Sequence, residues 1–348
     1  MDNSSLFLKK EFSISNSRSN QIGIDYGGTL TKITYFGEET NELITIHKPS
    51  NDFDGVIETI REIPKIKRYF AFSNEKQNEK AKNKEIKLSL TGGGTYRYKS
   101  KFQEIFPFPI QITNEGKCLH NGFSFVLQNV PDPVFQMDPQ SPTEMIPASL
   151  TLNDRYIISI MGTGSGFFFS ENGECKRIGG SGIGGGSFLG LLKLLTSLTD
   201  FDQIKKIPHE EHDPINLRVK DILGEGSEEM GLDGNLMAAF FGKIATKKKE
   251  KEQKEETKKM EKETITENQI AYSLAQTIFS NVAQISVLYA QSNNAKVIVF
   301  VGGLICDKIL APEMITNYVN FYSQNTVRAV FMKHSAYIGS IGALNLEN

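Results

Sequence analysis

Cysteine is scarce in this chain: Cys118, Cys175 and Cys306 are far apart, odd in number and outside any CxxC pair. That usage argues against a disulfide framework or a zinc knuckle, and makes a reducing, cytoplasmic setting the expectation. Histidine is nearly as rare, with five residues. His209 and His212 share the stretch PHEEHDP, but prolines bracket it and no third ligand is near, so it reads as a solvated loop. No charge predominates, since 39 basic and 41 acidic residues leave a net charge of -2. A nucleic-acid partner held by a basic face is therefore not expected. No apolar run approaches the ~20 residues of a membrane span. The opening MDNSSLFLKKEFSISNSRSN also lacks the apolar stretch of a secretory signal, and residues 1–19 read as a ragged polar arm.

What is present is an ordinary globular composition, 39% hydrophobic and 23% charged over 348 residues, long enough for two domains with a substantial core. Apolar alternation predicts two short strands across Gln21 to Phe36, joined by DYGGT, and a third near Leu43 to His47. Phe53, Val56, Ile57, Ile60 and Ile63 recur at helical spacing, with Asp52 or Asp54 as cap. Residues 74–87 are polar and lysine-rich, a surface excursion. IKLSL (86–90) is a strand running into TGGGT, and a helix is expected from Thr95.

The second half repeats the device. YIISI (156–160) enters the glycine turn MGTGSG and leaves through FFF; GGSGIGGGSFLGLLKLL opens a helix; KVIVFVGG (296–303) is a buried strand feeding a turn. An apolar helix is expected over Asn268 to Gln291, and a last one near Tyr337. Residues 247–263, with eight lysines and six glutamates, read as a solvated insertion. Strands alternating with helices indicate α/β architecture. A strand–glycine turn–strand unit near residue 25 and again near 162 suggests two related domains, 20–150 and 151–348, facing each other across a cleft.

The glycine loops carry the chemistry. No GxxxxGK[ST] string occurs, so a P-loop is absent. Gly180, Gly182 and Gly185 spell GxGxxG before a helix, yet the preceding GECKRI is polar and short, and no acidic residue ends a following strand. The dinucleotide reading fails. Taken together, the loops form one phosphate grip. Gly27, Gly28 and Thr29 offer amides and a hydroxyl, and Asp25 at a strand end is placed to hold a water of Mg²⁺. Thr163 and Gly164 supply a second set from the opposite wall. Gly185, Gly186 and Ser187 open a helix whose positive end favours anions. Gly302 and Gly303 let a base or ribose approach the backbone. One such turn is equally well explained by chain geometry; four in one chain are not.

DxGGTxxK at 25–32, GTG at 162–164 and VGG at 301–303 look like the phosphate-1, phosphate-2 and adenosine elements of the actin–hexokinase–sugar-kinase superfamily. More narrowly, GIDYGGTLTKI, LTGGGTYRY, KRIGGSGIGGGSFLGL, FVGG and AYIGSIGAL resemble the eukaryotic-type (type II) pantothenate kinases, in order and over nearly the whole chain. The resemblance implies two actin-like (ribonuclease H-like) domains with an ATP cleft between them, a homodimer, and ATP-dependent phosphorylation of pantothenate. It implies Glu115, after the TGGG helix and the strand FPIQIT, as general base, with Asp25 serving the metal. Arg177 then lies in the substrate pocket. Acyl-coenzyme A such as acetyl-CoA is implied as feedback inhibitor at Thr163, Gly166 and Arg177. A serine commonly stands in the family where this chain has Gly166. Ser181 is the main hydroxyl for a substrate contact in the loop at 179–182, and Lys32 is placed to approach ATP phosphates. Two other outcomes are a kinase of an amino sugar or other small alcohol on the same fold, and a catalytically silent nucleotide-binding relative. Relatives of the silent kind lose the base or the arginine, and both are present here.

Overall fold

In the computed structural model, residues 4–7, 20–37, 42–73, 86–141, 143–199, 215–224, 226–231, 233–246, 265–305 and 310–344 are described. Cys306, PHEEHDP, the 247–263 run and most of the 74–87 excursion lie outside them. The alternation of Ile22, Ile24 and Tyr26, all buried, makes β2 (Gln21–Tyr26) a core strand, and β3 (Leu30–Phe36) returns antiparallel to it. β4 (Glu42–Pro49) follows β3, and β1 (Ser4–Phe7) pairs antiparallel with β4. The expected ragged arm therefore contributes an edge strand. α1 (Phe53–Arg61) starts where the Asp52 side chain accepts from Gly55 N at 3.0 Å, and α2 (Pro64–Ser73) follows. β5 (Lys87–Thr91) pairs parallel with β2, α3 (Thr95–Ile105) crosses, and β6 (Ile110–Ile112) pairs parallel with β5.

α4 (Glu115–Asn129) leads to β7 (Val134–Met137) and β8 (Met145–Pro147). β9 (Tyr156–Met161), β10 (Ser165–Glu171) and β11 (Glu174–Ser181) form an antiparallel meander. α5 (Gly185–Leu195) follows. A small excursion holds β12 (Leu217–Arg218), α6 (Val219–Leu223), α7 (Gly226–Glu229), β13 (Met237–Ala239) and α8 (Gly242–Thr246). The long α9 (Glu267–Ser292), β14 (Val297–Val301), α10 (Leu310–Ser323), β15 (Arg328–Met332) and α11 (Ile338–Leu344) complete the chain.

Two large sheets result, ordered β1-β4-β3-β2-β5-β6 and β11-β10-β9-β14-β15-β7-β8, beside the two-stranded β12-β13. Within them β4-β3-β2-β5-β6 and β11-β10-β9-β14-β15 have the same order, third-second-first-fourth-fifth. They also share the same mix of three antiparallel strands and then parallel ones. The chain is thus α/β, with one ribonuclease H-like, actin-like unit built twice. β11 is a strand after all, but an exposed antiparallel edge rather than the buried parallel strand a dinucleotide fold needs. β7 and β8 extend the second sheet although they precede residue 150, so that sheet crosses the expected domain boundary.

The two units are tied together by α4 and α11. A Cβ at Gly122 would fall on the Ile338 carbonyl, and one at Gly342 on the Cys118 carbonyl. Glycine at both positions lets the helix backbones touch. α11 also lies on the first sheet, where Ser340 Oγ is 2.7 Å from Thr34 Oγ1 on β3.

Candidate active site

The β2–β3 and β9–β10 turns face each other. Thr29 Oγ1 lies 3.2 Å from Thr163 Oγ1, although the residues are 134 apart in the chain. Gly27 N is used within its own turn, donating to Leu30 O at 3.2 Å. Gly185 N donates to Gly162 O and Gly186 N to Thr163 O, each at 2.8 Å. The start of α5 thus clamps the second turn with the very amides that an anion would otherwise use. The amides of Gly28, Thr29 and Thr163 make no hydrogen bond among the described residues.

Asp25 ends β2 opposite Lys32, whose Nζ is 3.6 Å from Oδ2. Its carboxylate is held between two glycines. A Cβ at Gly92, where φ is +87°, would come within 2.5 Å of Oδ1, and one at Gly339 within 2.7 Å of Oδ2. Glu115 opens α4 behind the Asn114 cap, whose side chain accepts from Lys117 N at 3.2 Å. Glu115 is exposed to solvent at the cleft that it lines. Burial and then the Asp25 charge raise its pKa; Lys32 and Arg177 act the other way. All four charged groups line the same cleft. Arg177, on β11, reaches back over Gly180, where a Cβ would come within 2.6 Å of Nη2. Phe168 forms the floor: Cβ atoms at Gly116 and Gly166 would each meet its ring at 3.4 Å.

A cleft of about 1060 Å³ unites these groups. Every expected site residue lines it except Ser181 and Ser187. Their hydroxyls shape the loop instead. Ser181 Oγ accepts from Ile183 N at 3.1 Å, and Ser187 Oγ donates to Gly182 O at 2.7 Å. Gly302, with φ +122°, ends β14 at the cleft, and its amide donates to Ser335 Oγ at 3.1 Å. Lining residues that the sequence reading missed include Asn114, Lys117, His120, Phe168, Cys175 and Ser335. Only the i, i+4 spacing of Gly116 with His120 and the i, i+2 spacing of Cys175 with Arg177 hinted at them.

Two ribonuclease H-like units closing paired glycine turns over a cleft that holds a carboxylate couple and two cations define a two-domain α/β protein with a polar interdomain site. The chain belongs to the Fumble family, whose model matches residues 21–346. Among curated proteins it is similar to "4'-phosphopantetheine phosphatase" of Mus musculus, 29% identical over 93% of this chain and 40% of that one. It therefore spans well under half of the mouse protein. It is also similar to "Pantothenate kinase" of Schizosaccharomyces pombe, 27% identical over 96% of this chain and 84% of that one. "Pantothenate kinase 1" of Arabidopsis thaliana is 29% identical, over 94% and 85%. Among solved structures, the activator of 2-hydroxyisocaproyl-CoA dehydratase from Clostridium difficile with bound ADPNP is 14% identical. It covers 93% of this chain and 92% of its own, with a TM-score of 0.47.

Proposed function

We propose that this chain is a pantothenate kinase, transferring the γ-phosphoryl group of ATP to pantothenate to give 4′-phosphopantothenate. One observation carries the reading: Glu115 and Arg177 line the same cleft as both glycine turns. The relatives matched over more than four-fifths of their own length are named for this activity. The phosphatase name belongs to a protein of which this chain matches 40%.

Transfer to an alcohol needs in-line placement, charge neutralisation and a base at the hydroxyl. The amides of Gly28, Thr29 and Thr163, the Thr29 and Thr163 hydroxyls and Lys32 hold phosphate oxygens. Gly302 and Gly303 border the nucleoside. Glu115 accepts the proton of the attacking hydroxyl, and its raised pKa makes it the stronger base. Arg177 orients the acceptor and balances charge as a fixed cation. Asp25, its carboxylate held between Gly92 and Gly339 on the cleft lining, fits a hydrated Mg²⁺. That ion takes few carboxylates and completes its shell with water and phosphate. Among the described residues no three His, Cys, Asp or Glu cluster as a metal cage. When bound, the ion neutralises charge on the phosphate oxygens.

Acetyl-CoA or another acyl-CoA inhibits at the same cleft, through Thr163, Gly166 and Arg177, and the protein works in the cytoplasm, in keeping with its cysteine usage. Among the described residues, no helix is long and apolar enough to cross a membrane. A second copy covers α5, where Leu191, Leu194 and Leu195 share one face and are 40%, 80% and 50% exposed. The test is an ATP-consumption assay with pantothenate and a panel of amino sugars, with and without acetyl-CoA. Turnover of pantothenate above every sugar, reduced by acetyl-CoA, is expected. Preference for a sugar assigns the fold to another alcohol, and no turnover leaves the silent reading.

A further inference from the structure

Arg177 lines the cleft because β11 breaks register with β10. Along this antiparallel pair Ser165, Gly166 and Phe167 lie opposite Ser181, Gly180 and Gly179, but the next residue, Phe168, lies opposite Arg177. Ile178 is passed over, so it and Gly179 together face Phe167, the arrangement of a β-bulge. The equivalent pair in the first unit, β3 with β4, runs from Leu30 opposite Pro49 to Phe36 opposite Leu43 without a break. The bulge is therefore no requirement of the repeated fold. It belongs to the unit that carries the arginine.

Side chains alternate between the two faces of a strand, so one extra residue turns every side chain beyond it to the other face. On β10, Phe168 lines the cleft, while Phe167 and Phe169 pack into the core beneath α9. With the bulge, Arg177 and Cys175 follow Phe168 to the cleft, and Ile178 joins Phe167 and Phe169 at that core. In an unbroken ladder Arg177 would instead lie opposite Phe169, and its guanidinium would meet apolar side chains. Ile178 would take its place beside Phe168. From the cleft face, the Arg177 charge acts on Glu115.

The bulge is seated on α9. The Tyr289 ring lies against Phe167, with centroids 5.2 Å apart, and a Cβ at Gly179 would fall on the Tyr289 hydroxyl. Gly179 is not among the glycines with positive φ, so glycine serves there for close approach alone. Neither Gly179 nor Tyr289 lines the cleft.

We infer that Tyr289 is a positioning residue for Arg177: its hydroxyl fills the space that Gly179 leaves open, and so fixes the bulge that turns the arginine into the cleft. The inference rests on Arg177 serving the acceptor, and deepens that reading by naming what aims it.

The test is a cycle of Gly179→Ala, Arg177→Ala and the pair, in steady-state kinetics with pantothenate and ATP. Thermal melts check folding. Losing a hydrogen bond to a charged group is roughly a 10- to 150-fold effect, the drop in pantothenate kcat/KM expected of Arg177→Ala. Gly179→Ala should lower it by about 10-fold or more, with the ATP KM within about twofold. In the Arg177→Ala background it should add less than about twofold, since nothing is left to aim. Tyr289→Leu empties the seat and should show part of the same loss; combined with Gly179→Ala, whose methyl fills the seat, it should regain most of it. Tyr289→Leu with Arg177→Ala closes a second cycle, which decides the matter where Gly179→Ala does not fold. Full additivity with Arg177→Ala, or a pantothenate kcat/KM unchanged by both Gly179→Ala and Tyr289→Leu, overturns the inference alone. Wild-type pantothenate kinetics in Arg177→Ala overturn it together with the role given to the arginine. Absence of pantothenate turnover in the wild type overturns the functional reading as well.

Discussion

Glu115 carries opposing demands. As a base it must be ionised, yet burial and the neighbouring Asp25 favour its protonated form. Activity is therefore lost as pH falls through the raised pKa, and the acid limb of kcat/KM should lie above the ordinary glutamate value of about 4.3. Stability runs the other way. A carboxyl whose folded pKa is raised contributes stability below its unfolded value and loses it as pH rises through the folded pKa. At neutral pH the charged Glu115 thus weakens the fold. Glu115→Gln should lower kcat by roughly 10²- to 10⁴-fold while ATP binding survives, and should melt no lower than wild type at pH 7. Steady-state kinetics across pH with paired thermal melts check both halves. Wild-type turnover in the Gln variant removes Glu115 from the mechanism.

Among elements, the contact of α4 with α11 matters most. α4 delivers Glu115 and His120 from its first turns, and α11 places Gly339 against Asp25. Their backbones meet at Gly122 and Gly342, and α11 reaches β3 through Ser340 and Thr34. A methyl at Gly342 has nowhere to go except into the Cys118 carbonyl. Gly342→Ala should therefore cost about 3 kcal/mol, the upper end of overpacking costs, and should show as a lower urea midpoint. Because the displaced helix also carries Gly339, kcat should fall although residue 342 touches neither substrate. An unshifted midpoint would mean that the two helices are not packed this closely.

For the whole molecule, the exposed leucine face of α5 lies on the outside of the unit that carries the second glycine turn. Light scattering should give a mass of twice 38.8 kDa. Leu194→Lys, placing a charge on the most exposed of the three leucines, should return it to 38.8 kDa without unfolding it. A monomeric wild type removes the second copy from the proposal. At this scale the internal duplication was legible in advance. The glycine turns at 25–29 and 162–166 announced matching halves, because a turn that brings bare backbone to a cleft has a sequence signature. The boundary near residue 150 was less legible. β7 pairs with β15, nearly 200 residues away, and carries the neighbouring β8 with it; no local pattern encodes a pairing at that separation.

By itself, the sequence determined the type of most elements and the two matching glycine turns, since periodicity and turn chemistry act over a few residues. Glu115 and Arg177 were found through resemblance, because nothing local distinguishes a cleft glutamate from a surface one. Only the tertiary structure decided what those groups meet. It brought Thr29 to Thr163, and held the Asp25 carboxylate between Gly92 and Gly339. It tied up the Gly185 and Gly186 amides, turned Ser181 and Ser187 into the loop, and brought His120 and Cys175 to the lining of one cleft. Each depends on where two distant segments pack, and packing is fixed by the fit of the whole core rather than by any one stretch.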